Sequence, residues 1–117
     1  MAQDGGKANT PADLYRGYSD YESHRGTLAA GNDVVTFIRG AAVGVEIDNL
    51  GDPADANATP TLFVTLEGTT PTTDGTGDTD HVMINVPSGE SRTIDIASSV
   101  VKLATSGTVA WQVIALR

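Results

Sequence analysis

The sequence contains no cysteine and only six aromatic residues, three of them tyrosine. Disulfide bonds, thiolate nucleophiles and Cys-based zinc sites are therefore excluded. No apolar run approaches the roughly 18 residues that a membrane helix requires, and residues 1–7 lack the apolar region of a secretory signal. Basic residues are also scarce, since 7 Lys and Arg stand against 15 Asp and Glu and give a formal charge of −8. This balance predicts that the protein does not bind nucleic acid, which needs a basic surface, and the lack of a long apolar run predicts that it has no membrane partner.

Groups that could perform catalysis are scarce as well. His24 and His81 are the two histidines, and neither lies in a pattern typical of a Ser–His–acid relay or of a paired-histidine metal site. The acidic loop carries Asp74, Asp78 and Asp80, whose oxygens suit Ca²⁺, but the glycine and distal glutamate of a helix–loop–helix calcium site are missing. We interpret this loop as solvated, with calcium as the alternative hypothesis, and predict a non-enzymatic protein without a cofactor.

What the sequence does contain is a series of short, β-branched segments separated by turn residues. Alternation of apolar and polar residues begins at Asn32 and predicts an all-β domain over residues 32–117. Short links favour antiparallel neighbours, so we predict an antiparallel β-sandwich, either immunoglobulin-like or a small jelly roll, with Trp111 in its core. The seven predicted strands centre on residues 34–38, 43–47, 62–66, 82–86, 92–96, 100–103 and 109–115.

Residues 1–31 differ from this domain, and we interpret them as an extended N-terminal arm. The arm holds all three tyrosines, while the predicted strands contain none. Tyrosine and arginine are enriched at protein interfaces because each combines a large contact area with directional hydrogen bonds. We therefore predict that the arm binds a partner through Leu14, Tyr15, Arg16, Tyr18, Tyr21, His24 and Arg25.

Four segments also follow a recognisable order along the chain. A strand ends in Asn49-Leu50-Gly51, a second reads Leu62-Phe63-Val64-Thr65-Leu66, a turn reads Val86-Pro87-Ser88-Gly89-Glu90, and Ser106-Gly107-Thr108 precedes the last strand. In this order the chain resembles small β-sandwich structural proteins of tailed bacteriophages, including capsid decoration and tail-associated proteins. The resemblance covers roughly residues 43–115 and transfers no functional residues.

The resemblance implies a virion component that is made in the host cytoplasm. A capsid decoration or cement protein is the leading hypothesis, with the arm lashing it to neighbouring subunits. Its partners would be the major capsid protein or other virion subunits, and it would form a homo-oligomer on a symmetric lattice. The alternatives are a head–tail joining, tail or fibre-associated protein, or a carbohydrate- or calcium-binding β-sandwich module that uses the loops 53–60 and 68–80.

Overall fold

The computed structural model describes residues 18–66, 70–75 and 83–117 and shows an all-β protein. One antiparallel sheet contains six strands: β1 (Tyr21–Thr36), β2 (Gly44–Asn49), β3 (Leu62–Leu66), β4 (Ile84–Val86), β5 (Ser91–Ile94) and β6 (Val100–Leu116). Within the ranges given, the structure has no helix long and apolar enough to cross a membrane. The prediction of an antiparallel all-β fold is confirmed.

The long strand β6 organises the sheet. Along one side it pairs with β1 over the whole length of both strands, while its other side holds β3 against the first half and β2 against the second. Strand β4 then adds to β3 and strand β5 adds to β2, which gives the order β4-β3-β6-β2-β5. Many of the residues that face inward from these strands, among them Val45, Ile47, Leu103 and Val113, are fully buried and form one core.

The turn after β4 shows how far the sheet curls. The amide of Glu90 donates to the carbonyl of Pro87 at 3.0 Å, and Gly89 has a φ of +80°, a conformation that glycine adopts without strain. The sequence predicted this tight turn, but it also predicted that short links join neighbouring strands. Here the turn joins β4 to β5, the two ends of the sheet order. Such a short link is possible because the sheet is nearly closed into a barrel.

The last two predicted strands are one strand in the structure. The sequence around Thr105-Ser106-Gly107 predicted a hairpin turn, whereas β6 runs through these residues and β1 follows it on the other side. A register shift between Ala29 and Gly31 leaves Ser106 and Gly107 as a bulge. The Thr105 hydroxyl donates to the carbonyl of Thr61 at 2.9 Å. A bulge bends both strands together instead of reversing the chain, which is why six strands replace the predicted seven.

Strand β1 also begins earlier than the sequence predicted. The predicted arm ran to residue 31, but residues 21–31 belong to the sheet, and residues 1–17 lie outside the described residues. The alternation of apolar and polar residues is not visible in this part of the sequence, because the first inward positions of β1 carry Glu22, His24 and Gly26 instead of aliphatic residues. Gly26 is small for a packing reason: a Cβ there would lie 2.7 Å from Cζ2 of Trp111, whose indole is buried as predicted.

Asn49 links three segments of the barrel from a position that is 1% exposed. Its Nδ2 donates to the carbonyls of Pro60 at 2.9 Å and Val86 at 2.8 Å, and its Oδ1 accepts the amide of Gly51 at 2.9 Å. Buried polar groups are stable only when they are hydrogen-bonded in this way. The Asn-x-Gly segment therefore serves the fold, as the Pro-x-Gly turn does.

Candidate functional site

The pairing of β1 with β6 places several of the predicted binding residues on the outer face of the sheet. Tyr21 and Arg25 point outward from β1, opposite Leu116 and Gln112 of β6. The Arg25 Nε donates to Oε1 of Gln112 at 2.6 Å, and the Gln112 Nε2 donates to Oδ2 of Asp48 on β2 at 2.9 Å. These two side-chain hydrogen bonds connect β1, β6 and β2 and hold the Arg25 side chain against the outer face of the sheet.

Tyr18 crosses the same face just before β1 begins. Its hydroxyl donates a hydrogen bond to Asp95, and the ring passes over Gly44, where a Cβ would lie 2.7 Å from the Tyr18 oxygen. The hydrogen bond to Asp95 raises the pKa of the Tyr18 phenol, and burial and the charge of Asp95 act in the same direction. Because Gly44 has no side chain, the hydroxyl end of the Tyr18 ring can lie this close to β2.

A cleft of about 390 Å³ lies between the two tyrosines. Tyr18 and Tyr21 line it together with Ile114 and Leu116 of β6, and Ser19 and Asp20 complete its rim. The rim is held by the main chain, because the amide of Asp20 donates to the carbonyl of Arg117 at 3.0 Å and the amide of Arg117 donates back to Asp20 at 2.9 Å. The cleft is thus an ordered, mostly apolar depression with aromatic walls.

Further exposed apolar side chains lie at the same end of the barrel as this cleft. The described residues leave six large hydrophobic side chains exposed, and four of them lie at this end of the barrel: Tyr21, Ile38, Val43 and Ile96. The amide of Val43 donates to the carbonyl of Leu116 in the cleft floor at 2.8 Å, and Ile96 follows Asp95, the partner of Tyr18. We call the tyrosine cleft and these four side chains the apolar end. Clustered exposed apolar residues are typical of protein-binding surfaces.

The carboxylate of Glu22 holds the apolar end together from the inner face of β1. Its Oε2 accepts the amide of Ile38 at 2.7 Å and lies 2.5 Å from Nε2 of His24. Its Oε1 accepts the amide of Arg39 at 3.1 Å and Nη2 of Arg117 at 3.0 Å. The start of β1, the segment after β1 and the end of β6 therefore meet at one side chain.

These contacts decide the charge state of Glu22. Burial acts to raise the pKa of the carboxyl group, but the hydrogen bond from the Ile38 amide and those from His24, Arg39 and Arg117 outweigh it. The result is a pKa lowered from 4.5 to about 2. Donors that bond to the charged form favour that form, so Glu22 is ionised at neutral pH.

The predicted binding residues therefore separate into groups. Tyr18, Tyr21 and Arg25 lie on the outer face, where both tyrosines line the cleft, whereas His24 points inward and stacks on Phe37 with ring centroids 6.1 Å apart. The other three, Leu14, Tyr15 and Arg16, lie outside the described residues. Ile38, Val43 and Ile96 could not be recognised from the sequence, because an exposed aliphatic side chain looks like a core residue in an alternating pattern.

The proposed calcium ligands are not tested by the structure. Asp74 is exposed in the loop after β3, and Asp78 and Asp80 lie outside the described residues. Among the residues that are described, no group of three or more His, Asp or Glu side chains could hold a metal ion. Calcium binding stays a prediction.

No protein-family model matches the chain, and no curated protein matches its sequence. Solved structures that are similar to it include the following three. Protein NMB1881 from Neisseria meningitidis is 11% identical with a TM-score of 0.48, over 87% of this chain and 77% of that one. PirA is 17% identical with a TM-score of 0.42, over 87% and 98%. The acidic stable capsid structure of Helicobacter pylori bacteriophage KHP30 is 18% identical with a TM-score of 0.35, over 86% and 90%. Values this low establish no function.

Proposed function

We propose that this chain is a non-enzymatic structural protein that binds a protein partner through its apolar end. The observation that carries the proposal is the concentration of exposed hydrophobic side chains at the apolar end, led by Ile38 at 84% and Tyr21 at 66% exposure. Exposing such groups to water is unfavourable, and covering them would stabilise a complex by about 25 cal/mol for each Å² of apolar surface removed from water.

The surroundings of the apolar end suit a protein that stays soluble until it meets one partner. The chain carries a formal charge of −8, and a strong net charge opposes non-specific association. Aromatic side chains with polar tips, such as Tyr18 and Tyr21, are the residues that interfaces favour. A component of a larger assembly needs this combination: a charged surface that repels other molecules, and one apolar region that binds a partner.

Within this class we propose a bacteriophage virion protein, with capsid decoration as the first candidate and with the major capsid protein or other virion subunits, further copies of this chain included, as its partners. The support is the order of the four sequence segments, in which the chain resembles such proteins. A head–tail joining, tail or fibre-associated role is the alternative. Copy number in the particle distinguishes the two, because decoration of a shell requires many more copies than a joining ring.

The test is the occupancy of purified virions by variants of the chain. Removing residues 2–30 would also delete the first half of β1, so point substitutions are cleaner. Tyr21→Ser should reduce the number of copies per virion by at least about tenfold, as measured by quantitative mass spectrometry. Leu50→Ser is the matched control, because Leu50 is 58% exposed but lies away from the apolar end. Equal occupancy of both variants, or absence of the wild-type chain from virions, would refute the proposal.

A further inference from the structure

We propose that the partner at the apolar end is a second copy of this chain, in a two-fold arrangement that seats Ile38 of each copy in the tyrosine cleft of the other. The inference deepens the proposed function and rests on it for the choice of surface. A two-fold interface uses the same patch on both subunits, so a protrusion and the depression that receives it must lie side by side on one surface. The apolar end has both.

The protrusion is Ile38. Its side chain is 84% exposed, more than that of any other large hydrophobic residue in the described ranges. The main chain that carries it is nevertheless held in place, because the amides of Ile38 and Arg39 both donate to the Glu22 carboxylate, at 2.7 and 3.1 Å. A backbone that is already fixed loses little conformational freedom on binding. The position of Ile38 is therefore set before the partner binds.

The depression is the tyrosine cleft, and an ion pair fixes its position relative to Ile38. Arg39, the next residue, pairs with Asp20 at the rim of the cleft. The floor formed by Ile114 and Leu116 is apolar and matches an aliphatic side chain. With a volume of about 390 Å³, the cleft has room for one such side chain and part of the backbone that carries it.

The charges at the apolar end also favour a second copy. Two copies that each carry a charge of −8 repel each other over most of their surfaces. At the apolar end, however, Asp20 pairs with Arg39 and Glu22 pairs with Arg117, so two carboxylates and two guanidinium groups cancel. The contact proposed here lets two acidic molecules meet where two nearby carboxylates are neutralised and a third, that of Asp95, accepts the Tyr18 hydroxyl.

Single introduced cysteines test the arrangement directly, since the chain has none of its own. An Ile38→Cys variant and a Ser19→Cys variant, one of them labelled with ¹⁵N, are mixed under mild oxidation, and the disulfide-linked products are weighed by mass spectrometry. In an equimolar mixture the mixed dimer should exceed the sum of the two homodimers, which random pairing would only equal, because only that pair joins the protrusion of one copy to the cleft rim of another. A mixture of Leu50→Cys with Ser19→Cys is the control. If the Ile38→Cys mixture gives no more mixed dimer than this control, the proposal is overturned.

Sedimentation equilibrium supplies the second test. Wild type should dimerise, Ile38→Asp should weaken dimerisation by at least about tenfold, and Val34→Asp, at a residue 51% exposed elsewhere, should not. A variant without residues 2–17 should still dimerise; loss of the dimer would assign the contact to that segment and overturn the proposal. Wild type that stays monomeric would overturn the self-association alone, because the loss of Tyr21→Ser from virions would still support binding to another protein.

Discussion

Replacing Glu22 with glutamine removes the charge that joins the two ends of β1 to the end of β6. The wild-type carboxylate accepts the amides of Ile38 and Arg39 and a guanidinium nitrogen of Arg117. Hydrogen bonds to a charged group contribute about 1.5–3 kcal/mol each when they are buried. Because the Glu22 side chain is only 10% exposed and glutamine keeps one of its two acceptor oxygens, we expect a loss of about 2 kcal/mol at pH 7.

The contribution of Glu22 to stability should depend on pH. The pKa of Glu22 is about 2 in the folded protein against 4.5 for the free group. A lowered pKa stabilises the folded state fully above pH 4.5, and this contribution is lost as the pH falls from about 4.5 to about 2. The shift corresponds to at most about 3 kcal/mol, which screening by solvent reduces to about 1–2 kcal/mol. The difference in stability between wild type and Glu22→Gln should therefore shrink across this range.

Urea unfolding followed by the fluorescence of Trp111, the single tryptophan of the chain, measures both effects. Glu90→Gln is the control, because Glu90 pairs with Arg92 at 3.0 Å but is 54% exposed, and such surface pairs contribute about 0–1 kcal/mol. The stabilising role of the Glu22 carboxylate is contradicted if Glu22→Gln and wild type have the same free energy of unfolding at pH 7. It is also contradicted if their free energies of unfolding differ by the same amount at pH 7 and pH 2.

Two further predictions concern packing and hydrogen bonding inside the barrel. Gly26→Ala would place a methyl group 2.7 Å from the Trp111 ring, so we expect a loss of about 1–3 kcal/mol in urea unfolding, whereas Ser23→Ala on the outer face of the same strand should change little. Asn49→Ala would leave the carbonyls of Pro60 and Val86 without their donor, and we expect a loss of about 2–3 kcal/mol by the same measurement; a value below about 0.5 kcal/mol would contradict the structural role given to Asn49.

Local sequence patterns were sufficient for the strands that bury one regular face. In β2 and β3, Val45, Ile47, Leu62 and Val64 alternate with more exposed or polar neighbours, and all four are fully buried. The turn at Pro87–Glu90 was also predictable, since it depends on proline and glycine over four residues. In each case the physical cause acts between residues that are close in sequence.

The first half of β1 could not be predicted in this way. Its inward positions are explained by partners far along the chain: Gly26 by the ring of Trp111, Glu22 by Arg39 and Arg117, and His24 by Phe37. A polar residue at an inward position looks like part of an arm until its distant partner is known. The early start of β1, and with it the placement of Tyr18 and Tyr21 against the sheet, was therefore decided by the tertiary structure.

The sequence by itself determined the all-β class, the acidic character and the clustering of the tyrosines before the β-rich segments, because these depend on composition and on alternation along short segments. Only the tertiary structure decided that Ile38 and Val43 are exposed next to those tyrosines. The physical reason is that exposure depends on how the barrel closes. Closure brings residues separated by almost the whole chain, such as Glu22 and Arg117, into hydrogen-bonding distance.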